Sequence, residues 1–184
     1  MLKQAVLGLF GLFFIAYAIK NKHFHIIFKV KNMSYNRYAA ADYAQKWALK
    51  RNPRYYDFEQ IGGDCTNFVS QCIYTGKGEM NYMKYTGWYY NSVNDRAPSW
   101  TSVEYLHRFL INNRDNGPKG KEIMLFSAEI GDIIQLSFDG TEYHHSLLIT
   151  QTEPEILVCA HTFDALNKPL RLYIYDKLRC IHIT

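Results

Sequence analysis

Cys65 stands in the stretch Gly62-Gly63-Asp64-Cys65-Thr66-Asn67-Phe68-Val69-Ser70-Gln71-Cys72-Ile73, a placement that suits a nucleophile. The glycine pair permits a tight turn and close approach by another group. Asp64 or Gly63 can serve as an N-cap, because short polar side chains satisfy the free amides of a first helical turn. Phe68, Val69, Cys72 and Ile73 recur at helical spacing and predict a helix with one buried face. Cys65 then lies in the first turn, where the helix dipole favours negative charge. A lowered thiol pKa is expected there, and the thiolate is the attacking form. The plainer reading is one more buried cysteine, a common fate of this residue.

Partners for such a thiol come from strands further on. In the strand expected over Tyr143 to Thr150, His145 shares a parity with Leu147 and Ile149. In the strand expected over Ile156 to His161, Leu157, Cys159 and His161 share another. If both rows face the Cys65 helix, His145 is the general base and His161 orients it through a ring-to-ring hydrogen bond. His144 is expected to point the other way, to the surface. A metal set from His144, His145, His161 and Cys159 diverges across the sheet and has no HExxH spacing, so no metal and no cofactor is expected. Cys72, Cys159 and Cys180 read as small buried hydrophobes.

The elements that must hold these residues begin with a helix from Arg37 to Lys50, its face formed by Ala40, Tyr43, Ala44 and Trp47 and its N-cap by Asn36. Asn52-Pro53 stops it. The Cys65 helix ends near Gly76-Lys77-Gly78. Residues 79–98 have no clear period, and Tyr85, Trp88, Tyr89, Tyr90 and Trp100 are candidates for the wall of a substrate groove. Thr101 with Glu104 forms a capping-box pattern ahead of a helix with Val103, Leu106, Phe109 and Leu110 inward. Period-two patterns follow over 131–138, 143–150, 156–161, 170–175 and 178–183, with Asp139-Gly140 and Glu153-Pro154-Glu155 as turns. Helices first and an antiparallel sheet afterwards make an α+β pattern.

The chain of 184 residues suits one domain with a sizeable core. A net charge of +4 suits contact with anionic polymers, but no dense Lys/Arg cluster supports nucleic-acid binding. Four cysteines without paired spacing argue against a zinc ribbon or a disulfide scaffold. Ala5 to Ile19 is apolar, shorter than the roughly 20 residues that span a bilayer, with Ala16-Tyr17-Ala18 near its end as a small-x-small pattern. Residues 1–20 are therefore expected to be a signal peptide or short membrane anchor, 21–33 a linker, and 34–184 the folded domain. Lys20, Lys22, Lys29 and Lys31 outweigh Lys3, which would hold the C-terminal side in the cytoplasm. Export to the cell envelope is the favoured expectation, and a cytoplasmic location is the alternative.

The stretches YNRYAAADYAQKWALKRNP, GGDCTNFVSQCIYTG, APSWTSVEYL, IGDIIQLSF, HHSLLIT and AHTFDALNKPL resemble the putative amidase domain family of Gram-positive bacteria, itself similar to the papain-like NlpC and CHAP cell-wall hydrolases. The resemblance implies a papain-like α+β fold: N-terminal helices, one carrying the nucleophilic cysteine, packed on a mostly antiparallel sheet. It implies Cys65 as nucleophile, His145 as base and His161 in the third place, with Asp164 and Asn167 as rivals. Gln60 is the counterpart of a papain-type oxyanion glutamine, and the Cys65 amide is the other donor. Asp64, Asn67, Gln71 and Trp100 would support the site from behind. The activity implied is amide hydrolysis on peptidoglycan, at a stem-peptide or muramoyl-alanine bond, by a monomer. Two other readings stand beside it: a catalytically silent wall-binding module with the same shell, and an intracellular peptide amidase.

Overall fold

The structure, a computed structural model, describes residues 34–184. The expected signal or anchor and the linker lie outside the described residues. Within them no helix is long and apolar enough to cross a membrane.

Helix α1 (Arg37–Trp47) starts where its cap predicts, with Asn36 Oδ1 accepting from the Ala39 amide at 3.0 Å. Helix α2 (Cys65–Lys77) ends on Gly78, whose φ of +73° suits the left-handed cap and whose N–H reaches the Tyr74 carbonyl. The two helices pack closely at Gly76, where an added Cβ would lie 2.4 Å from the Tyr35 ring. A two-stranded hairpin, β1 (Tyr90–Ser92) and β2 (Asp95–Arg96), leads into the short helix α3 (Pro98–Thr101) and then α4 (Val103–Asn112). The capping box expected at Thr101 does not form. Ser102 takes the cap position, and Glu104 pairs with Arg179 at 3.0 Å instead.

Six antiparallel strands follow: β3 (Gly120–Ile123), β4 (Ile133–Ser137), β5 (His145–Gln151), β6 (Leu157–Ala160), β7 (Ala165–Pro169) and β8 (Lys177–Ile183). Their order is β3-β8-β4-β5-β6-β7, so β8 returns to lie between β3 and β4. The strand expected over 170–175 is replaced by β7 and a 3₁₀ turn at Leu170–Leu172. The domain is α+β, with four helices among the described residues and antiparallel sheets.

Both faces of the large sheet are covered. Ile133, Leu148, Cys159 and Ile181 share one core with α1, α2 and α4 through Ala44, Phe68, Ile73 and Leu106. Ile134, Leu136, Leu147, Ile149, Val158 and Cys180 form a second core on the far face. Strands buried on both sides read as continuous apolar runs rather than alternating ones, and β4 is buried at all five positions.

Candidate active site

Residues 59–63 form the turn that delivers Cys65. Gly63 has a φ of +96°, and a Cβ there would come within 3.1 Å of the Thr162 hydroxyl. That hydroxyl accepts from the Asp64 amide at 2.7 Å. Asp64 occupies the N-cap position of α2 but does not cap it. Its fully buried carboxylate turns back instead: Oδ1 accepts from the Phe58 amide and from Asn67 Nδ2, and Oδ2 lies 2.5 Å from His161 Nδ1. His161 Nε2 donates to the Trp47 carbonyl at 2.9 Å, and the ring stacks on Phe68 at 4.0 Å. With one nitrogen on a carbonyl and the other on a carboxylate, His161 ties α1, the α2 start and the end of β6 together. Arg51 approaches the same carboxylate at 3.6 Å.

Cys65 itself is only 6% exposed. Its sulfur lies 3.8 Å from Thr66 Oγ1 and 3.9 Å from the His144 carbonyl oxygen. Burial pushes the thiol pKa up, while the Ser146 amide and the Thr66 hydroxyl and amide pull it down and the Asp64 charge adds to the rise. The lowered pKa expected at a helix start is therefore corrected: desolvation outweighs the donors around the sulfur. Behind it runs a polar chain in which Thr66 Oγ1 meets Ser146 Oγ at 3.1 Å, Gln135 Nε2 donates to Ser146 Oγ, and Arg179 Nε donates to Gln135 Oε1 at 2.7 Å. Sequence reasoning passed over Thr66, Ser146, Gln135 and Arg179. A polar residue inside each of three apolar strands was the available signal.

The histidines fall differently from the parity expectation. Leu136 pairs with His145 across β4 and β5, and Ile134 pairs with Leu147, which places His145 in the far-face row, away from α2. His145 is buried there near Phe138 and Tyr173, and its Nε2 has no hydrogen-bond partner among the described residues. Burial, with help from the Lys168 charge, pushes its pKa down to about 4. His144, one residue earlier, lines a cleft of about 610 Å³ together with Cys65, Thr66, Gly62 and Gly63. Its Nδ1 donates to the Glu142 carbonyl at 2.9 Å, and its Nε2 lies 3.5 Å from Asp139. Neither the His144 nor the His145 imidazole bonds the thiol among the described residues, and the expected His145–His161 ring contact is absent because the rings sit on opposite faces.

Other expected site residues are placed as follows. Trp88 and Trp100 are fully buried and stack 4.8 Å apart, their indole N–H groups bonded to Ser70 and Asn67, so they are core rather than groove. Tyr89 is half-buried against Tyr82, outside the cleft. Gln60 is exposed on the turn and does not line the cleft. Asp164 holds Arg51 through two bonds of 2.9 and 3.0 Å. Asn167 accepts from Thr150 on β5 and from Gln45 on α1, contacts that tie it between sheet and helix. Among the described residues no three His, Cys, Asp or Glu side chains are grouped to hold a metal ion.

A cysteine at a helix start, opening on a polar cleft, is thus the constellation among the described residues that has nucleophilic chemistry in reach. The chain belongs to the putative amidase domain family, which matches residues 34–184, and the family's name points to amide hydrolysis. It is 31% identical over 146 residues to the uncharacterized protein YhbB of Bacillus subtilis (strain 168), covering 71% of this chain and 42% of that one. It is 27% identical over 154 residues to the uncharacterized protein YjcM of the same organism, covering 78% of this chain and 34% of that one. The chain thus spans less than half the length of these curated relatives. No solved structure matches it significantly.

Proposed function

We propose that this domain is a cysteine-dependent amide hydrolase with a papain-like arrangement, acting on peptidoglycan amides at the cell envelope. The observation that carries the reading is Cys65 at the start of α2, opening on a cleft that His144 also lines. His144, on the cleft side, is the base in this reading, and His145 is not. His144 Nδ1 donates to Glu142, which leaves Nε2, 3.5 Å from the Asp139 carboxylate, as the acceptor of the neutral ring. His144 takes the thiol proton as sulfur attacks the amide carbonyl. It returns that proton to the departing amine, and water then releases the acyl group from the thioester. The first-turn amides of α2 have no intrahelical acceptors, and Asp64 does not cap them. The Cys65 amide is therefore available to an oxyanion. The Asp64–His161 pair positions this turn without touching substrate. The net charge of +4 suits an anionic wall polymer.

The test is mass spectrometry of purified peptidoglycan digested with the full chain, beside a Cys65→Ala control. New amine termini produced only by the wild type are expected and name the bond. A digest identical to the control would overturn the reading.

A second reading, a catalytically silent wall-binding module, is favoured by the buried thiol with its raised pKa and by the lack of an imidazole on the sulfur among the described residues. Alkylation of Cys65 near pH 6 separates the two: a working nucleophile reacts much faster than a free cysteine, a silent one more slowly. Envelope location is checked by tagging each end and fractionating cells.

A further inference from the structure

Two guanidinium groups, Arg96 and Arg108, line the Cys65 cleft, and a third, Arg179, is bonded to Glu104 of its wall; each lies over an aromatic ring, and their partners differ. Arg179 lies 3.9 Å over the Tyr143 ring and is neutralised by Glu104 at 3.0 Å. Arg96 lies 4.5 Å over Phe58, with one nitrogen on the Val93 carbonyl and its Nε buried without a partner among the described residues. Arg108 lies 5.6 Å over Tyr105. Arg96 and Arg108 both line the cleft. Neither has a carboxylate partner among the described residues, whereas Arg37, Arg51, Arg171 and Arg179 all do.

Stacking matters because it occupies the face of a guanidinium and leaves its in-plane N–H edge, the fork that matches a carboxylate in two parallel hydrogen bonds. A half-buried Arg96 held over Phe58 and bonded to the Val93 carbonyl has also given up part of its rotamer freedom before any ligand arrives. Glu142, on the wall that carries His144, has no cationic partner among the described residues. The cleft is thus electrically divided, with two unpaired cations on the hairpin and α4 side and an anion on the β4–β5 side.

We infer that the amide substrate of this cleft carries a carboxylate that Arg96 and Arg108 hold while the scissile carbonyl lies over Cys65. The inference rests on the hydrolase reading for what the cleft does, and on the paired and unpaired arginines for what it binds. The carboxylate could be an acidic side chain or a free peptide C-terminus, and the probes below separate them.

The first test compares two alkylating agents of nearly equal size and opposite demand on the cleft, anionic iodoacetate and neutral iodoacetamide. Their rates at Cys65 of the full chain are read by peptide mass spectrometry and divided by the same ratio at free cysteine. The expected ratio is raised about tenfold at low ionic strength and falls with added salt. Arg108→Gln, on an exposed side chain, lowers it, and Arg96→Gln with Arg108→Gln returns it to the free-cysteine value. Arg96→Lys keeps the charge but not the fork, so it lowers the alkylation ratio only in part. A ratio at Cys65 that equals free cysteine, or that survives the double substitution, would overturn the inference.

A second measurement does not need a reactive thiol. Full-length Cys65→Ser protein is titrated, by amide chemical shifts, with acetyl-Ala-Glu-amide, acetyl-Ala-Ala free acid and the neutral acetyl-Ala-Gln-amide. Saturable shifts at cleft residues with an acidic peptide only, lost in Arg108→Gln, are expected, and the peptide that binds names the source of the carboxylate. Equal response to the neutral peptide sinks the inference. Carboxylate preference without amide turnover would retire the hydrolase reading and keep the anion subsite. Turnover that is indifferent to peptide charge would retire the subsite and keep the hydrolase.

Discussion

On the helix side of the sheet, Ser146, Gln135 and Arg179 form a row of polar side chains that bond one another, Thr66 above them and Glu104 at the rim. On the far side, His145 is buried and Tyr173 half-buried beneath Lys168, and His145 Nε2 and the Tyr173 hydroxyl have no partner among the described residues. Only a peptide bond separates His144 from His145, yet one imidazole lies in the cleft and the other in the far core. The difference teaches which polar groups have been provided for. A buried polar atom with partners is nearly neutral in stability, whereas one without them costs about 1–3 kcal/mol. The row beneath α2 is arranged to keep its polar groups; the far side merely tolerates one histidine.

The largest expected effects lie on the helix side. Cys65→Ala should remove turnover altogether, and His144→Ala should lower the rate on the order of 10²- to 10⁴-fold, while His145→Leu stays close to wild type. Rates on the peptidoglycan digest check all three, and the reverse ranking of the two histidines would move the base to the far face and break the comparison. Next comes the Asp64–His161 pair. Removing one partner of a buried, hydrogen-bonded pair leaves the other uncompensated, so His161→Ala should lose about 3–5 kcal/mol in urea unfolding.

A subtler effect separates the faces by pH. His145 has its pKa pushed down from the usual 6.5 to about 4, chiefly by burial. The unfolded chain therefore takes up a proton between those two values that the folded chain refuses. Stability rises with pH through that window and is lost as pH falls from about 6.5 to about 4, by on the order of 3 kcal/mol from this group. Urea unfolding at pH 7 and near pH 4 should show a smaller pH difference in His145→Leu than in wild type; an unchanged difference would mean that His145 is hydrated rather than dry. The smallest effect is expected at Cys72, which is fully buried in the helix-side core. Cys72→Ala should lose about 1 kcal/mol of stability and leave turnover unchanged.

Much of the frame was legible along the chain. Asn36 caps α1 as its type and position suggest, Cys65 is the first residue of α2, and Gly78 ends it. The strands at 133–137, 145–151, 157–160 and 177–183 fall inside or beside the period-two segments. The hairpin of β1 and β2 and the edge strand β3 were not read, because Asn91, Asp95 and the Gly120-Lys121-Glu122 run are polar and carry no alternation. Trp88 and Trp100 looked like groove residues, but large rings of this kind bury more area than most side chains, and their N–H groups find Ser70 and Asn67 inside. Asp64 read as a cap, yet its carboxylate goes to a histidine 97 positions away.

What the residues determined by themselves is what depends on near neighbours: caps, helical spacing, the cysteine at a helix start, and helices ahead of an antiparallel sheet. What only the tertiary structure decided is which face of the sheet each histidine serves and which arginines lack a carboxylate. Alternation reveals a face when one side of a sheet is wet and the other dry. Here Leu147, Leu148 and Ile149 are all buried, so both parities are apolar, and nothing in the strand itself says which of them meets α2.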